Sequence, residues 1–322
     1  MSAIGGFLPL EVPPVIVAEP YHAEAVALAS GRACWHVVLR ASRPRRVLLP
    51  FFICDAVLQP LTATRTPFEF YPLSASFEPA AVPEPADGDL MLVVNYFGVL
   101  TAFVEECVRR QRDRVVVDDT QAFFRRGTPD AWSFNSARKF FGVPDGAFLY
   151  GPANGIGELP PSDVADCDHL LTRLAGDDRQ AWEQFKRHEA RISIEPRAIS
   201  AISTRLLAAV DMSRARRTRE QNFNALHARL GTLNTIALPL DAFGGDGPMC
   251  YPFLPSADVD RHALARLGIF VPTLWPEIEF RTERGFDWER QVARRLLPLP
   301  IDHRYGPDAM DTLAYSVLQV LR

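Results

Sequence analysis

The sequence predicts an α/β protein with a mostly parallel central sheet covered by helices, followed by a smaller α+β unit. Three runs carry the prediction: RVLLPFF from Arg46, DLMLVVN from Asp89, and the valines before Asp118. Because these runs are apolar on both faces, they are typical of parallel strands covered on both sides. Helical stretches separate the runs, as a doubly covered sheet requires.

The elements of the larger unit follow in chain order. Residues 21–41 are predicted to be helical, entered through Ser30 or broken there into two pieces. Apolar runs bounded by turn residues predict the strands. They are 46–52, 67–71, 89–95, 114–117, 132–134 and 147–150, with helices at 53–64 and 102–112.

The pattern changes after about residue 175. Apolar residues recurring every three or four positions predict long helices, and short apolar runs predict two further strands. The predicted elements are helices 178–192 and 198–231, a glycine-rich loop 241–248, strand 250–254, helix 258–267, strand 297–301 and helix 309–321. We predict a large domain of residues 1–215 and a small domain of residues 216–322.

Composition excludes several classes of protein. The chain has 322 residues, 48% of them hydrophobic, and a net charge of −4. This apolar content argues against disorder, and the slight acidity argues against nucleic-acid binding. No apolar run reaches the ~20 residues that span a membrane. The N-terminus lacks a basic signal region, and the five cysteines are scattered without C-x-x-C spacing, so we expect a cytoplasmic protein without disulfides.

Lysine is rare in this chain. Lysine and arginine together number 35, yet the only lysines are Lys139 and Lys186. A lysine amine can lose its proton and act as a nucleophile, whereas a guanidinium stays charged. Lys139 lies in a loop between two predicted strands, flanked by phenylalanines, where partial desolvation would favour the neutral amine. It is therefore a candidate for Schiff-base chemistry, with an ordinary loop cation as the alternative.

Two further features complete a candidate site. Asp118 ends a buried strand, and a buried carboxylate needs a partner, either a structural cation or a protonated ring nitrogen. Ser30, Gly31 and Arg32 open a helix, whose free N–H groups favour an anion such as a phosphate. A phosphate cradle, a carboxylate for a ring nitrogen and a lysine for an aldehyde are the groups that pyridoxal 5′-phosphate (PLP) requires.

The ordered set resembles the DegT-type sugar aminotransferases, which are fold-type-I PLP enzymes. The matching stretches are Ser30-Gly31-Arg32-Ala33, the Asp118-x-x-Gln121 element, the Lys139 segment, the helix from Arg216 to Leu230, and the tail that starts at Leu297. The resemblance implies an aminotransferase of sugar biosynthesis that moves an amino group from an amino acid to a keto-sugar. We interpret this keto-sugar as nucleotide-linked. It also implies a homodimer.

The resemblance assigns roles by position. Lys139 would form the Schiff base with PLP and move the proton, Asp118 would pair with the pyridine nitrogen, and Gln121 would lie near the ring. Ser30, Gly31 and Arg32 would hold the phosphate together with Ser133 or Ser136, of which we rank Ser133 first. Tyr96 is a candidate for lining the substrate pocket, with core packing as the alternative.

Three departures from the family pattern stand out. The family's phosphate serine lies five residues before the lysine, where this chain has Phe134. The position of the family's stacking aromatic is occupied by Cys54, so Phe52 or Phe51 is predicted to take that role. The region 151–195 is short. These departures motivate two alternatives: a different PLP reaction or a non-sugar acceptor, and a non-catalytic regulator with the same fold.

A second group of polar residues, Asp166-Cys167-Asp168-His169, has the residue types of a metal site. Such a cluster on a loop is more often solvated surface. We therefore predict that this group binds no metal ion.

Overall fold

The structure is a computed structural model that describes residues 14, 19–81, 83–111, 113–152, 156–162, 166–237, 246–256 and 259–321. The strands are β1 (Val26–Leu28), β2 (Arg46–Pro50), β3 (Phe68–Tyr71), β4 (Asp89–Val94), β5 (Val115–Asp119), β6 (Trp132–Asn135), β7 (Ala147–Tyr150), β8 (Cys250–Phe253) and β9 (Leu297–Pro300). The helices are α1 (Gly31–Ser42), α2 (Leu58–Thr64), α3 (Thr101–Gln111), α4 (Asp168–Leu174), α5 (Asp178–Arg191), α6 (Ala201–Ala208), α7 (Met212–Leu230), α8 (Arg261–Arg266), α9 (Asp287–Arg295) and α10 (Pro307–Val320).

The first seven strands form one sheet in the order β1-β7-β6-β5-β4-β2-β3. Strands β3, β2, β4, β5 and β6 are paired in parallel, and β7 is antiparallel to both β6 and β1. Strand β1 therefore runs in the same direction as β6. The predicted α/β class with a mostly parallel sheet is confirmed.

The centre of the sheet is apolar on both faces, as the sequence predicts. Every residue of β4 and of β5 is buried, including Asp118 and Asp119 at the end of β5. In the parallel pairing of β5 with β6, Asp118 is opposite Phe134 and Val117 is opposite Ser133. Because successive side chains of a strand point to opposite faces, this register decides which residues share a face with Asp118.

Helix α1 begins at the edge of the sheet where the parallel strands end. The Ser30 hydroxyl caps it by accepting a hydrogen bond from the Ala33 N–H at 3.1 Å. Arg43, with φ of 45°, ends the helix in the left-handed region. The buried face of α1 includes Trp35, which stacks on Phe134 with 6.2 Å between the ring centroids. The helix thus covers the face of the sheet that carries Phe134 and Asp118.

Two of the predicted elements are wrong. The first part of the predicted helix 21–41 is β1, a three-residue strand that pairs with β7. The predicted helix 198–231 is interrupted between α6 and α7, where Asp211 caps α7 by accepting from the Arg214 N–H. Most of the predicted loop 241–248 lies outside the described residues.

The C-terminal residues form a smaller unit in which β8 and β9 pair antiparallel. Helices α8 and α9 connect these two strands, and α10 comes after β9. Helix α7 leads into this unit and continues through residue 215, so the proposed domain boundary lies within a helix and stays a prediction. None of the helices within the described part of the chain is both long and apolar enough to cross a membrane.

Candidate active site

A buried carboxylate marks the carboxyl end of β5. Asp118 is 5% exposed, and its Oδ1 accepts a hydrogen bond from the Thr120 N–H at 2.8 Å. Burial raises the pKa of Asp118, and the positive charge of Lys139 opposes that rise. The carboxylate is therefore held in the protein interior at a position where Lys139 can act on it electrostatically.

Lys139 lies at the end of a short 3₁₀ turn that follows β6. Its Nζ donates a hydrogen bond to Thr120 Oγ1 at 3.0 Å. Thr120 thus contacts both candidate residues, one through its backbone N–H and the other through its hydroxyl. The structure brings Lys139 and Asp118 to one site, but it leaves the Lys139 side chain exposed, so the expected desolvation by the neighbouring phenylalanines is wrong. Phe140 and Phe141 are buried elsewhere, in a cluster with Phe123 and Phe124.

Gly31 brings the start of α1 to the same place. A Cβ added to Gly31 would lie 3.3 Å from Thr120 Cγ2 and 3.6 Å from the Asn135 carbonyl oxygen. A side chain here would crowd Thr120, so glycine allows the helix N-terminus to approach the Asp118–Lys139 site closely. Helix N-termini attract anions, which fits the predicted phosphate position.

Ser30 and Arg32 already have partners in the last turn of α5 and in the two residues after it. The Ser30 hydroxyl donates to the Ser193 carbonyl at 3.2 Å, and Arg32 Nη1 is 3.2 Å from the carbonyl oxygens of Glu189 and Ile192. The Glu189 carboxylate also pairs with Arg32 at 3.7 Å and with Arg138. An anionic side chain of the protein thus lies beside the start of α1.

The two candidate serines lie on different faces of the sheet. Ser133 is paired with Val117 and therefore points away from the face of Asp118; its buried hydroxyl has no hydrogen-bond partner among the described residues and lies against Gly127. Ser136 follows the strand in an extended conformation, with φ of −147° and ψ of 116°. Alternation then places Ser136 on the face of Phe134 and Asp118. The strand register therefore favours Ser136 as the phosphate-binding serine, although the sequence-based prediction ranks Ser133 first.

The remaining predicted residues are buried in the protein. Gln121 Oε1 accepts a hydrogen bond from the Phe97 N–H at 2.9 Å, which fixes its side chain under the loop after β4. The Tyr96 hydroxyl donates to the Phe52 carbonyl, and both rings pack with Phe77 in an aromatic cluster. Tyr96 is 1% exposed and Phe52 is fully buried, so the structure favours core packing for Tyr96 and does not support the predicted stacking role of Phe52.

Cys54 lies close enough to Asp118 and Lys139 for both charges to act on its thiol. Burial raises the Cys54 pKa, Lys139 lowers it, and Asp118 and Glu277 raise it further. Glu277 belongs to the C-terminal unit and accepts a hydrogen bond from the Asp55 N–H at 2.9 Å. In the sequence, Cys54 stands out only as a departure from the family pattern, and Glu277 does not stand out, because it lies 222 positions from Asp55.

Arg138 is a second residue that sequence reasoning missed. Its side chain is 15% exposed and pairs with Glu189. Burial and the positive charge of Arg32 lower the pKa of Arg138 to about 10. A charge-dense patch of Arg32, Arg138 and Glu189 therefore lies beside the start of α1, and only the tertiary structure reveals it.

The fold is shared with solved aminotransferases. An aminotransferase of the DegT/DnrJ/EryC1/StrS type from Brucella abortus superposes with a TM-score of 0.64 at 14% identity, covering 92% of this chain and 85% of that one. The sugar aminotransferase CalS13 from Micromonospora echinospora gives 0.61 at 14% identity, covering 92% and 88%. A Streptococcus pneumoniae protein in its PMP form gives 0.63 at 12% identity, covering 92% and 85%. No family model and no curated protein matches the sequence.

The fold is therefore that of the DegT-type aminotransferases, as the resemblance predicted. Within that fold, the residues present fit a PLP-like group in three respects: a buried carboxylate, a nearby lysine, and a helix N-terminus that a glycine brings close. Ser30 and Arg32 could bind a phosphate through their side chains only after releasing their contacts with residues 189–193.

We expect Asp118→Asn to impair function without lowering the stability of the fold. Because the pKa of Asp118 is raised in the folded state, its ionised form costs stability above the unfolded value of 3.8, and asparagine removes that cost. The variant without coenzyme should unfold at the same temperature as wild type or higher at neutral pH. Between pH 3.8 and the raised pKa of Asp118, wild type should lose more stability with rising pH than the variant does.

In the PLP site that the resemblance implies, Asp118→Asn should lower turnover about 10²-fold, since an amide cannot hold a proton on a ring nitrogen as a carboxylate does. Thermal unfolding across the acidic to neutral range, with parallel activity assays, measures both effects. A variant that is less stable than wild type at neutral pH would show that Asp118 is a structural ion pair.

Proposed function

We propose that this protein is a PLP-dependent aminotransferase that transfers an amino group from an amino acid to a nucleotide-linked keto-sugar. The observation that carries the proposal is the meeting of Asp118, Thr120 and Lys139 beside Gly31 at the carboxyl edge of the sheet. Ligands of open α/β sheets bind at this edge. The shared fold with sugar aminotransferases supports the proposal.

The coenzyme would supply an aldehyde that bonds an amine and a ring that withdraws electrons from the carbon next to that amine. Lys139 would hold the coenzyme through its Nζ and, once displaced by the donor's amino group, would accept and return the proton at that carbon. The Asp118 carboxylate would keep a proton on the ring nitrogen. Thr120 would orient both side chains, because it already hydrogen-bonds each of them.

The start of α1 would bind the phosphate through its N–H groups beside Gly31, with Ser136 as the supporting hydroxyl. Ser30 and Arg32 would join only after releasing the carbonyls of residues 189–193. Cys54 would lie against the ring where related enzymes place an aromatic side chain. A thiol covers less of the ring than an aromatic residue does, so we expect weaker coenzyme binding than stacking would provide.

A half-reaction tests the proposed function. Protein loaded with PLP and given glutamate without an acceptor should lose the visible absorbance of lysine-bound PLP and gain that of PMP. Adding a nucleotide-linked keto-sugar should then restore the first spectrum. Conversion by glutamate without recovery by any keto-sugar would point to a non-sugar acceptor, and PLP binding without conversion would point to another PLP reaction.

The contacts at the start of α1 favour one competing function. Glu189 pairs with Arg32 and Arg138, so a carboxylate of the protein itself occupies the surroundings in which a phosphate is predicted. A chain that keeps this contact permanently would be a non-catalytic protein with the aminotransferase fold. Purified protein that takes up no added PLP would support that function and refute the aminotransferase.

A further inference from the structure

A second cluster of ligating side chains lies where α4 packs against α5. It contains Asp166, His169 and His188, and one ligating atom from each residue lies within 4.8 Å of the other two. The cluster includes none of Asp118, Thr120 and Lys139, although the cavity beside it reaches Ser30 at the start of α1. Two imidazoles and a carboxylate are a common ligand set for zinc and related transition metals.

His169 carries the strongest indication that something binds here. The residue is only 6% exposed, and its buried Nδ1 has no hydrogen-bond partner among the described residues. A buried polar atom without a partner costs free energy, so such atoms are uncommon unless an ion, water or ligand satisfies them. The His169 ring stacks on that of His188, with 4.6 Å between centroids and an interplanar angle of 27°.

A backbone contact fixes the tautomer of His188 and leaves a lone pair on its other ring nitrogen. Its Nε2 is 2.8 Å from the Pro144 carbonyl oxygen, and a carbonyl only accepts, so Nε2 carries the proton and Nδ1 keeps a lone pair. A histidine that donates one ring N–H to a backbone carbonyl while the other nitrogen binds a metal is a recurrent arrangement.

Asp166 supplies the carboxylate and opens the cluster to solvent. It is half-buried, with Oδ2 at 3.3 Å from Arg191 Nη1. Asp166 and His188 line a cavity of about 340 Å³ together with Ser30, Arg138 and Arg191. The cavity leaves room for a water molecule or an anionic ligand in a fourth coordination position, and the arginines favour an anion there.

We propose that Asp166, His169 and His188 form a binding site for one divalent transition-metal ion, with Zn²⁺ as the ion that the ligand set favours. This proposal replaces the sequence-based prediction of no metal. The sequence shows Asp166 and His169 as near neighbours, but His188 reaches them only because α5 packs on α4.

The test uses the full-length protein after chelator treatment and removal of the chelator. Titration with Zn²⁺ should show one ion bound per chain, and Co²⁺ should give visible d–d absorbance at the same stoichiometry. His169→Gln, His188→Gln and Asp166→Asn should each weaken binding at least about tenfold. His262→Gln and Asp168→Asn, which change exposed residues of the same types outside the cluster, should bind as wild type does.

Lys139→Ala should also bind Zn²⁺ as wild type does, because Lys139 belongs neither to the cluster nor to the lining of its cavity. If His169→Gln does not fold, Asp166→Asn carries the test, since Asp166 is only half-buried. Wild-type protein that binds no Zn²⁺ at micromolar concentration would overturn the proposal. So would variants of all three residues that bind with wild-type affinity and stoichiometry.

Discussion

Lys139→Ala is expected to lower kcat for transamination by about 10⁴-fold, since it removes both the amine that holds the coenzyme and the group that moves the proton. The variant should also lose the visible absorbance of lysine-bound PLP. Its fold should be intact, because the Lys139 side chain is exposed and its Nζ makes one described hydrogen bond, to Thr120. Steady-state kinetics, absorbance and circular dichroism measure these three effects.

Lys186→Ala is the matched control for this prediction. Lys186 is the only other lysine of the chain, and it is exposed on α5 with Glu183 as its ion-pair partner at 2.9 Å. An exposed pair of this kind contributes little to stability, so the variant should keep its activity and spectrum. Equal losses in the two variants, or a fully active Lys139→Ala, would contradict the role of Lys139.

Arg219→Met is expected to produce the largest loss of stability, about 3 kcal/mol in the free energy of unfolding, because it leaves buried carbonyls without a donor. Arg219 is 1% exposed and donates to the carbonyls of Phe140, Pro248 and Met249 at 3.1 Å each. These hydrogen bonds connect α7 to the loop that contains Lys139 and to the two residues before β8. Its guanidinium also lies 4.6 Å from the centroid of the Phe140 ring.

Chemical denaturation of Arg219→Met beside Arg217→Met measures this loss. Arg217 is an exposed arginine on the same helix, so its replacement should leave stability within about 0.5 kcal/mol of wild type. Because Phe140 follows Lys139 directly, the Arg219 variant should also bind PLP more weakly. If Arg219→Met were as stable as Arg217→Met, the buried guanidinium would not be holding these segments together.

The sequence predicted most of the strands because a central parallel strand has to be apolar on both faces, and runs such as residues 89–94 show this directly. It missed β1 because three residues are too few for any periodicity, and the pairing of β1 with β7 is a long-range contact. It merged α6 with α7 because the apolar spacing continues across the break, where the Asp211 cap starts a new helix.

The candidate site was predictable to a similar extent. Asp118 and Lys139 could be identified because each combines a chemically distinctive side chain with a strand end, and the structure brings them together through Thr120. The choice between Ser133 and Ser136 depends on strand register, which the sequence does not display. The partners of Ser30 and Arg32 come from residues more than 150 positions away and could not be foreseen.

Borohydride trapping identifies the lysine that holds the coenzyme. Reduction of PLP-loaded protein converts the bond between coenzyme and lysine into a stable secondary amine, and peptide mapping by mass spectrometry then locates it. With only two lysines in the chain, the result is unambiguous. We expect a pyridoxyl group on the peptide that contains Lys139 and none on Lys186. Coenzyme found on Lys186, or no modified lysine at saturating PLP, would contradict it.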